Sequence, residues 1–158
     1  MIIFVAAYDQ NRGIGWKGDW PRIAADRERF HKLISNKSIL MGRRSYPDYQ
    51  ALKHQVVIQK AYVLSRGNVV FPDAEVLPDI AAVRRLSETT DIWVIGGGEI
   101  FQQLLPYASK MYITQISGKF TVTSFFPKYN IAEWQVAEDE LFASDSQSGY
   151  EYSFMTLV

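Results

Sequence analysis

Residues 92–106 read IWVIGGGEIFQQLLP, and this stretch decides the fold class. Its first four residues form a continuous apolar run, which is typical of a strand that is buried on both faces. Three glycines follow, and after them the pattern predicts a short helix that Pro106 ends. A buried strand that passes through a glycine turn into a helix is the repeating unit of α/β proteins with a parallel sheet.

The same alternation of strands and helices continues on both sides of this unit. Strands of the buried type are predicted at residues 2–7, 38–41, 61–64 and 111–116, and short strands at 69–71 and 75–77. Helices are predicted at residues 23–34 and 80–86, the second with Asp79 as its N-cap. Residues 134–136 and 150–157 are typical of a terminal hairpin with a polar loop at 144–149.

These elements predict a single α/β domain that spans residues 1–158. We expect a mostly parallel central sheet flanked by helices, with an antiparallel C-terminal edge strand. A length of 158 residues suits one domain and is short for two.

Composition and charge exclude several classes of protein. Hydrophobic residues make up 47% and charged residues 22%, which excludes intrinsic disorder and collagen-like repeats. Basic and acidic residues number 17 each, so binding to nucleic acid through bulk positive charge is not expected. The chain has no cysteine and only two histidines, so neither disulfides nor a metal site are predicted. The first residues lack the basic region of a signal peptide, and no apolar stretch approaches the roughly 20 residues of a membrane span, so a cytoplasmic protein is expected.

The charges are unevenly distributed between the two halves of the chain. Residues 1–66 carry 12 basic and 5 acidic residues, whereas residues 67–158 carry 5 basic and 12 acidic residues. The halves could complement each other within one domain, or the first half could line a site for an anionic ligand. The charge count alone favours the first interpretation.

Three predicted strands end in residues that suit phosphate: GRRS at 42–45, LSRG at 64–67 and GGG at 96–98. Glycine lets a ligand approach the backbone, and arginine forms charge-assisted hydrogen bonds with phosphate. Taken singly, each also fits a tight turn or a solvated arginine, and Phe101 excludes the Rossmann fingerprint because a small residue is required there. Ligands of open α/β sheets bind at the carboxyl ends of strands. Together the three ends therefore favour a dinucleotide, with an extra phosphate for an arginine pair.

Asp26 is the unusual charged residue of the predicted helix at 23–34. Helical spacing places it on the apolar face with Phe30 and Leu33, while residues 27–29 are expected to point towards water. A carboxylate on an inner face either has a structural partner or serves a ligand, and burial would raise its pKa.

These pieces resemble the dihydrofolate reductase family over essentially the whole chain. The resemblance rests on their order and spacing: VAA at 5–7, IG at 14–15, Trp20 followed by Asp26 and Phe30, ILMGR at 39–43, LSR at 64–66, VIGGG at 94–98, LP at 105–106, MYIT at 111–114 and FP at 126–127.

The resemblance implies an NADPH-dependent reduction of 7,8-dihydrofolate to 5,6,7,8-tetrahydrofolate, with hydride transfer to C6 of the pterin and protonation at N5. It implies that Asp26 is the one active-site carboxylate, that Thr114 joins its hydrogen-bond network, and that Trp20 holds an ordered water. The other substrate-binding residues implied are Val5, Ala6, Phe30 and Ile95. We also expect a monomer that binds small molecules and neither nucleic acid nor membrane.

The cofactor-binding residues implied by the resemblance are Ala7, Ile14, Gly15, Gly42, Arg43, Arg44, Ser45, Leu64, Ser65, Arg66, Gly96, Gly97, Gly98, Glu99 and Ile100. Among them, Arg43 and Arg66 are expected near the 2′-phosphate of NADPH. The family also has an unusual cis Gly–Gly peptide bond in the GGG turn.

Four features depart from the family pattern. Residues 56–60 read VVIQK, without the arginine that binds the glutamate carboxylate of folate, so that Lys53 or Lys60 would have to replace it. The loop at 15–20 is shorter than usual, Thr123 replaces an aspartate, and Phe101 stands where tyrosine is frequent. The missing arginine leaves open a reductase of another heterocycle, such as the pyrimidine of riboflavin synthesis. A separate alternative is a non-catalytic nucleotide-binding domain that kept the scaffold.

Overall fold

An eight-stranded sheet forms the centre of the protein in the computed structural model, which describes residues 1–15 and 20–158. In spatial order its strands are β5 (Glu75–Leu77), β4 (Lys60–Leu64), β3 (Ser38–Gly42), β6 (Ile92–Gly96), β1 (Ile2–Tyr8), β7 (Ala108–Ile116), β10 (Tyr152–Leu157) and β9 (Val136–Phe142). The first six are parallel to one another, and β10 is antiparallel to both of its neighbours. The predicted fold class, a mostly parallel sheet with an antiparallel C-terminal edge, is confirmed.

Four helices pack against the sheet in the described part of the chain: α1 (Ala24–Ile34), α2 (Tyr46–Leu52), α3 (Ile80–Ser87) and α4 (Gly98–Leu104). The predicted cap of α3 is present, since Asp79 accepts a hydrogen bond from the backbone N–H of Ala82 at 2.8 Å. A small ribbon of β2 (Gly13–Ile14) and β8 (Ser124–Phe125) lies outside the main sheet. None of the helices in the described ranges is long and apolar enough to cross a membrane.

The apolar runs of the strands are explained by burial on both faces of the sheet. In β1, Ile2 and Phe4 join the core that contains α3 and α4, whereas Ile3 and Val5 join the core that contains α1 and α2. A strand covered by helices on both faces needs apolar side chains at successive positions, which is the pattern of its sequence.

Two predicted elements are wrong. Residues 69–71 form no strand, because the turn that follows is attached to α2: Asp73 accepts hydrogen bonds from Tyr46, Gln50 and Lys53, and the ring centre of Phe71 lies 4.3 Å from that of Tyr46. The first strand of the terminal hairpin is β9, which begins only at Val136, the last residue of the predicted segment 134–136, and extends to Phe142. Its residues are nearly all exposed at the sheet edge, so it lacks the apolar pattern by which a buried strand is recognised.

The predictions about the loop at 15–20 concern Trp16, Lys17, Gly18 and Asp19, which lie outside the described residues.

Candidate active site

A cleft with a volume of about 2080 Å³ runs along the edge of the sheet where the parallel strands end. Strand order explains why distant segments meet there, because β4, β3, β6, β1 and β7 are successive neighbours with their carboxyl ends on one side. All of the site residues predicted from the sequence line this one cleft.

The carboxyl group of Asp26 occupies one end of the cleft. Helix α1 carries it, and β7 brings the side chain of Thr114 into hydrogen-bond contact with it. Burial raises the pKa of the Asp26 carboxyl above its ordinary value of 3.8, while the hydrogen bond from Thr114 and the positive charge of Arg29 oppose this rise. A carboxyl group with a raised pKa exchanges its proton closer to neutral pH and can act in proton transfer.

Apolar side chains form the walls around this carboxyl group. Val5 and Trp20 are buried, and Phe30 and Ile95 are partly buried. The indole ring of Trp20 packs edge-on against Phe120, with 5.5 Å between the ring centres. These walls suit a flat heterocycle and exclude water from it.

Cationic and hydroxyl side chains line the other end of the cleft. Arg43, Arg44 and Ser45 form a short 3-10 turn directly after β3, and Ser65 and Arg66 follow the neighbouring strand β4. The three arginines are solvent-exposed, as expected for groups that meet a charged ligand. Guanidinium and hydroxyl groups are the donors that phosphate oxygens prefer, so this end fits the phosphates of a dinucleotide.

The glycine turn after β6 lies between the two ends. The peptide bond between Gly96 and Gly97 is cis, as the resemblance implied, and Gly96 has a φ of +130°, which side chains rarely tolerate. A Cβ at Gly98 would collide with the carbonyl oxygen of Phe125, and the backbone N–H of Gly98 donates to Ser124 Oγ at 3.2 Å. The turn therefore depends on glycine both for its conformation and for its close contact with the segment that includes β8.

The lining of the cleft agrees with the interpretation that the first half of the chain provides a site for an anionic ligand. The arginines that line it in the described part of the chain all come from residues 1–66: Arg22, Arg27, Arg29, Arg43, Arg44 and Arg66. The excess of positive charge in the first half is thus concentrated at the site.

Three expectations about charged residues are wrong. Lys53 and Lys60 do not line the cleft; their ammonium groups lie 2.6 Å from Asp73 and Glu75 respectively. Arg29 does not point towards water, because its guanidinium group packs on β7 and β10.

Sequence reasoning missed other parts of the cleft. Arg27 and His31 line it on α1, and residues 121–125, of which only Thr123 was noted from the sequence, pass beside the glycine turn. The i,i+4 spacing of Arg27 and His31 places both side chains on one face of the helix, and this pattern could have indicated that they lie together. No local pattern indicates residues 121–125, because only the fold brings them to the carboxyl end of β6. Within the described ranges, no group of three or more potential ligands could hold a metal ion.

Comparisons with known proteins agree with this geometry. The family model described as dihydrofolate reductase matches residues 1–158. The dihydrofolate reductase of Staphylococcus haemolyticus is 31% identical over 97% of this chain and 92% of its own length. That of Bacillus subtilis is 30% identical over 98% and 92%, and that of Haemophilus influenzae is 30% identical over 98% and 96%.

Among solved structures, a dihydrofolate reductase from Enterococcus faecalis complexed with NADP(H) and RAB-propyl superimposes with a TM-score of 0.84. The two sequences are 18% identical, and the match covers 99% of this chain and 95% of the other. These relatives do not favour a riboflavin-type reductase or a non-catalytic nucleotide-binding domain. The whole-chain match and the relatives at 30% identity or more show that the chain belongs to the dihydrofolate reductase family.

Proposed function

We propose that this protein reduces 7,8-dihydrofolate to 5,6,7,8-tetrahydrofolate with NADPH and that Asp26 is the carboxyl group that handles the proton. Membership in the family makes the chain an NADP-dependent oxidoreductase of one-carbon metabolism. The observation that carries the assignment to Asp26 is its position: a carboxyl group with a raised pKa sits at the apolar end of a cleft whose other end is cationic.

The apolar end suits the pterin ring of the substrate. Val5, Ala6, Phe30 and Ile95 bound a space for a flat ring, and the Asp26 carboxyl and Thr114 hydroxyl provide polar groups that fix its orientation. Trp20 lies near this end and is assigned to hold an ordered water. A ring held in one orientation in a dry pocket needs little further reorganisation to react.

The cationic end suits the cofactor. NADPH, when bound, supplies the hydride that the reaction requires. Arg43, Arg44, Ser45, Ser65 and Arg66 would bind its phosphates, with Arg43 and Arg66 at the 2′-phosphate. Closer to the pterin, Ala7, Ile14 and Gly15 would contact the nicotinamide. The remaining cofactor contacts are assigned to Gly42, Leu64, Gly96, Gly97, Gly98, Glu99 and Ile100.

Reduction at C6 of the pterin also requires a proton at N5. Asp26 exchanges its proton closer to neutral pH than an exposed aspartate, because burial disfavours its charged form. This chain thus contributes a protonatable group next to the reacting ring, and the Thr114 side chain holds that group in place.

Absorbance at the nicotinamide band, measured with purified protein, NADPH and dihydrofolate, tests the proposal. We expect turnover by the wild type and a loss of about 100-fold or more in Asp26→Asn, the size usual for a missing general acid. Asp79→Asn is the matched control, since Asp79 also lines the cleft but caps α3, a role that asparagine performs equally well. Turnover that survives in Asp26→Asn would refute the role of Asp26, and no turnover by the wild type would refute the activity.

The proposal also covers the number of domains, the oligomeric state, the location in the cell and the partners of the protein. One catalytic domain spans residues 1–158, and it acts as a monomer in the cytoplasm without a nucleic-acid partner. A single continuous sheet supports the single domain, and a net charge of zero supports the lack of a nucleic-acid partner. Light scattering of the purified chain checks the monomer, because a monomer should give the chain mass of 18.1 kDa and a dimer twice that mass.

A further inference from the structure

Arg29 is a mostly buried guanidinium group close to the proposed catalytic carboxyl group. Its side chain is only 15% exposed, and helical spacing places it, three residues after Asp26, beside that residue on the same face of α1. The guanidinium carbon lies 4.4 Å from the ring centre of Phe154 on β10 and 5.7 Å from that of Tyr112 on β7. Burial of a charge on aromatic faces requires compensating polar contacts.

Three hydrogen bonds supply this compensation. Arg29 Nη1 donates to the carbonyl oxygen of Ile113 at 3.3 Å, and Nη2 donates to Thr156 Oγ1 at 3.3 Å and to Glu138 Oε1 at 3.4 Å. Thr156 Oγ1 also donates to Glu138 Oε2 at 3.4 Å. The side chain therefore attaches α1 to β7, β10 and β9 at once.

The same guanidinium group interacts electrostatically with the carboxyl groups of Asp26 and Glu138. Its positive charge lowers the pKa of Asp26, against the larger effect of burial. The charges of Glu138 and Asp26 in turn raise the pKa of Arg29, although burial lowers it overall. In addition, Ile113, which accepts from Arg29, precedes Thr114, the hydrogen-bond partner of Asp26.

We propose that Arg29 is a positioning residue for the reaction: held between α1 and the sheet by Glu138, its guanidinium group sets the pH range in which Asp26 carries a proton. This inference rests on the role of Asp26 given under the proposed function. Glu138 acts through Arg29, because it neutralises part of the guanidinium charge and accepts a hydrogen bond that holds the group at β9.

Other titratable groups that face this pair come from each neighbouring strand. They are Tyr112 and Lys110 on β7, Glu138 and Glu140 on β9, and Tyr152 on β10. Glu140 lies two residues after Glu138, so it shares the same face of β9. It interacts with Arg29 only through its charge and is the last of the four groups that raise the pKa of Arg29, so it provides a matched control.

The test is the pH dependence of turnover in variants that change this charge balance. Removal of the guanidinium charge in Arg29→Met should move the midpoint assigned to Asp26 to higher pH, since the protonated form becomes easier to form. Removal of the counter-charge in Glu138→Gln should move it to lower pH. Arg29→Lys should leave it nearer the wild-type value, and Glu140→Gln should move it less than Glu138→Gln.

A second readout does not depend on turnover. In protein with ¹³C-labelled aspartate carboxyl groups, the Asp26 signal is identified by its absence from Asp26→Asn and is titrated directly by NMR. Opposite shifts in Arg29→Met and Glu138→Gln would establish that Arg29 controls the protonation of Asp26, even if the proposed activity were wrong. A midpoint that stays fixed in both variants, or moves the same way in both, would overturn it even if the enzyme were active. Since Glu138 is at the exposed sheet edge, Glu138→Gln decides the matter should Arg29→Met fail to fold.

Discussion

The carboxylate of Asp9 accepts a hydrogen bond from the backbone N–H of Phe120, 111 residues later in the chain, at 3.0 Å. Its other oxygen accepts the backbone N–H groups of Asn11 and Gly13, both at 2.8 Å. One buried side chain thus connects the turn before Ile14 to the loop that contains Val122, and both of these residues line the cleft.

We expect Asp9→Ala to destabilise the fold by about 3 kcal/mol, because three backbone N–H groups lose a charged acceptor and one of them, that of Gly13, is buried. Urea unfolding measures this change. Asp145→Ala is the control: Asp145 accepts the N–H groups of Gln147 and Ser148 in an exposed loop, and its removal should cost less than about 1 kcal/mol. Equal losses in the two variants would contradict the connecting role of Asp9.

Replacement of Asp26 should stabilise the protein at neutral pH while it removes activity. The pKa of Asp26 is raised in the folded state, so the folded protein binds this proton more tightly than the unfolded chain does. The resulting stability is present below pH 3.8 and is lost as the pH rises through the raised pKa. Asp26→Asn avoids the loss, and we expect its Tm at pH 7 to rise by a few degrees, the size that about 1 kcal/mol produces in a chain of this length.

Asp73→Asn should change the Tm at pH 7 in the direction opposite to Asp26→Asn. Hydrogen bonds from Lys53 and Tyr46 lower the pKa of Asp73 to about 2, so its stabilising contribution is present above pH 3.8 and is lost as the pH falls towards 2. Asp73→Asn should therefore lower the Tm at pH 7. A fall in Tm for both variants would contradict the effect that burial has on Asp26.

Binding of the carboxylate-bearing tail of the substrate should depend on Arg27. The two lysines considered from the sequence are ion-paired away from the cleft, whereas Arg27 lines it on α1, one helical turn before His31. Arg27→Met should raise KM for dihydrofolate about tenfold, the size of a lost charge-assisted hydrogen bond, with little change in kcat.

Two controls separate this effect from general damage to the site. Lys53→Met and Lys60→Met should leave KM unchanged. KM for 7,8-dihydropteroate, which lacks the glutamate, should be the same in Arg27→Met as in the wild type. An equal rise in KM for both substrates would show that Arg27 does not bind the tail.

Gly98→Ala should impair both folding and cofactor binding. The added methyl group would overlap the carbonyl oxygen of Phe125 and approach Ser124 Oγ to 2.8 Å, so the backbone at 124–125 would have to move. We expect a loss of about 1–3 kcal/mol in stability, the usual cost of overpacking, and weaker binding of NADPH by fluorescence titration. Gly67→Ala is the control, because its methyl group would make an ordinary contact of 3.5 Å with Val69. NADPH affinity that is unchanged in Gly98→Ala would contradict the importance of this close approach.

Most of the secondary structure was predictable because the signals are local. The strands at 2–7 and 61–64 are continuous apolar runs, the strand at 38–41 is apolar after Ser38, and Asp79 is a capping residue at the start of an amphipathic segment. The edge strand β9 was misplaced for the converse reason: its side chains face solvent, so burial leaves no pattern in its sequence. The order and spacing of the site residues were also sufficient to indicate the family.

The sequence by itself determined which residues are buried in strands, which strand ends carry phosphate-type donors, and that Asp26 lies on the inner face of α1. Only the tertiary structure decided which strands are neighbours, and hence that residues 42–45, 64–66 and 96–98 meet at one edge. It also decided that Arg29 turns inward to Glu138 and that Lys53 and Lys60 are ion-paired outside the cleft. The physical reason is that hydrophobic periodicity records which face of an element is buried, whereas the partner of a charged side chain is set by strand order and register, which bring residues together over any distance along the chain.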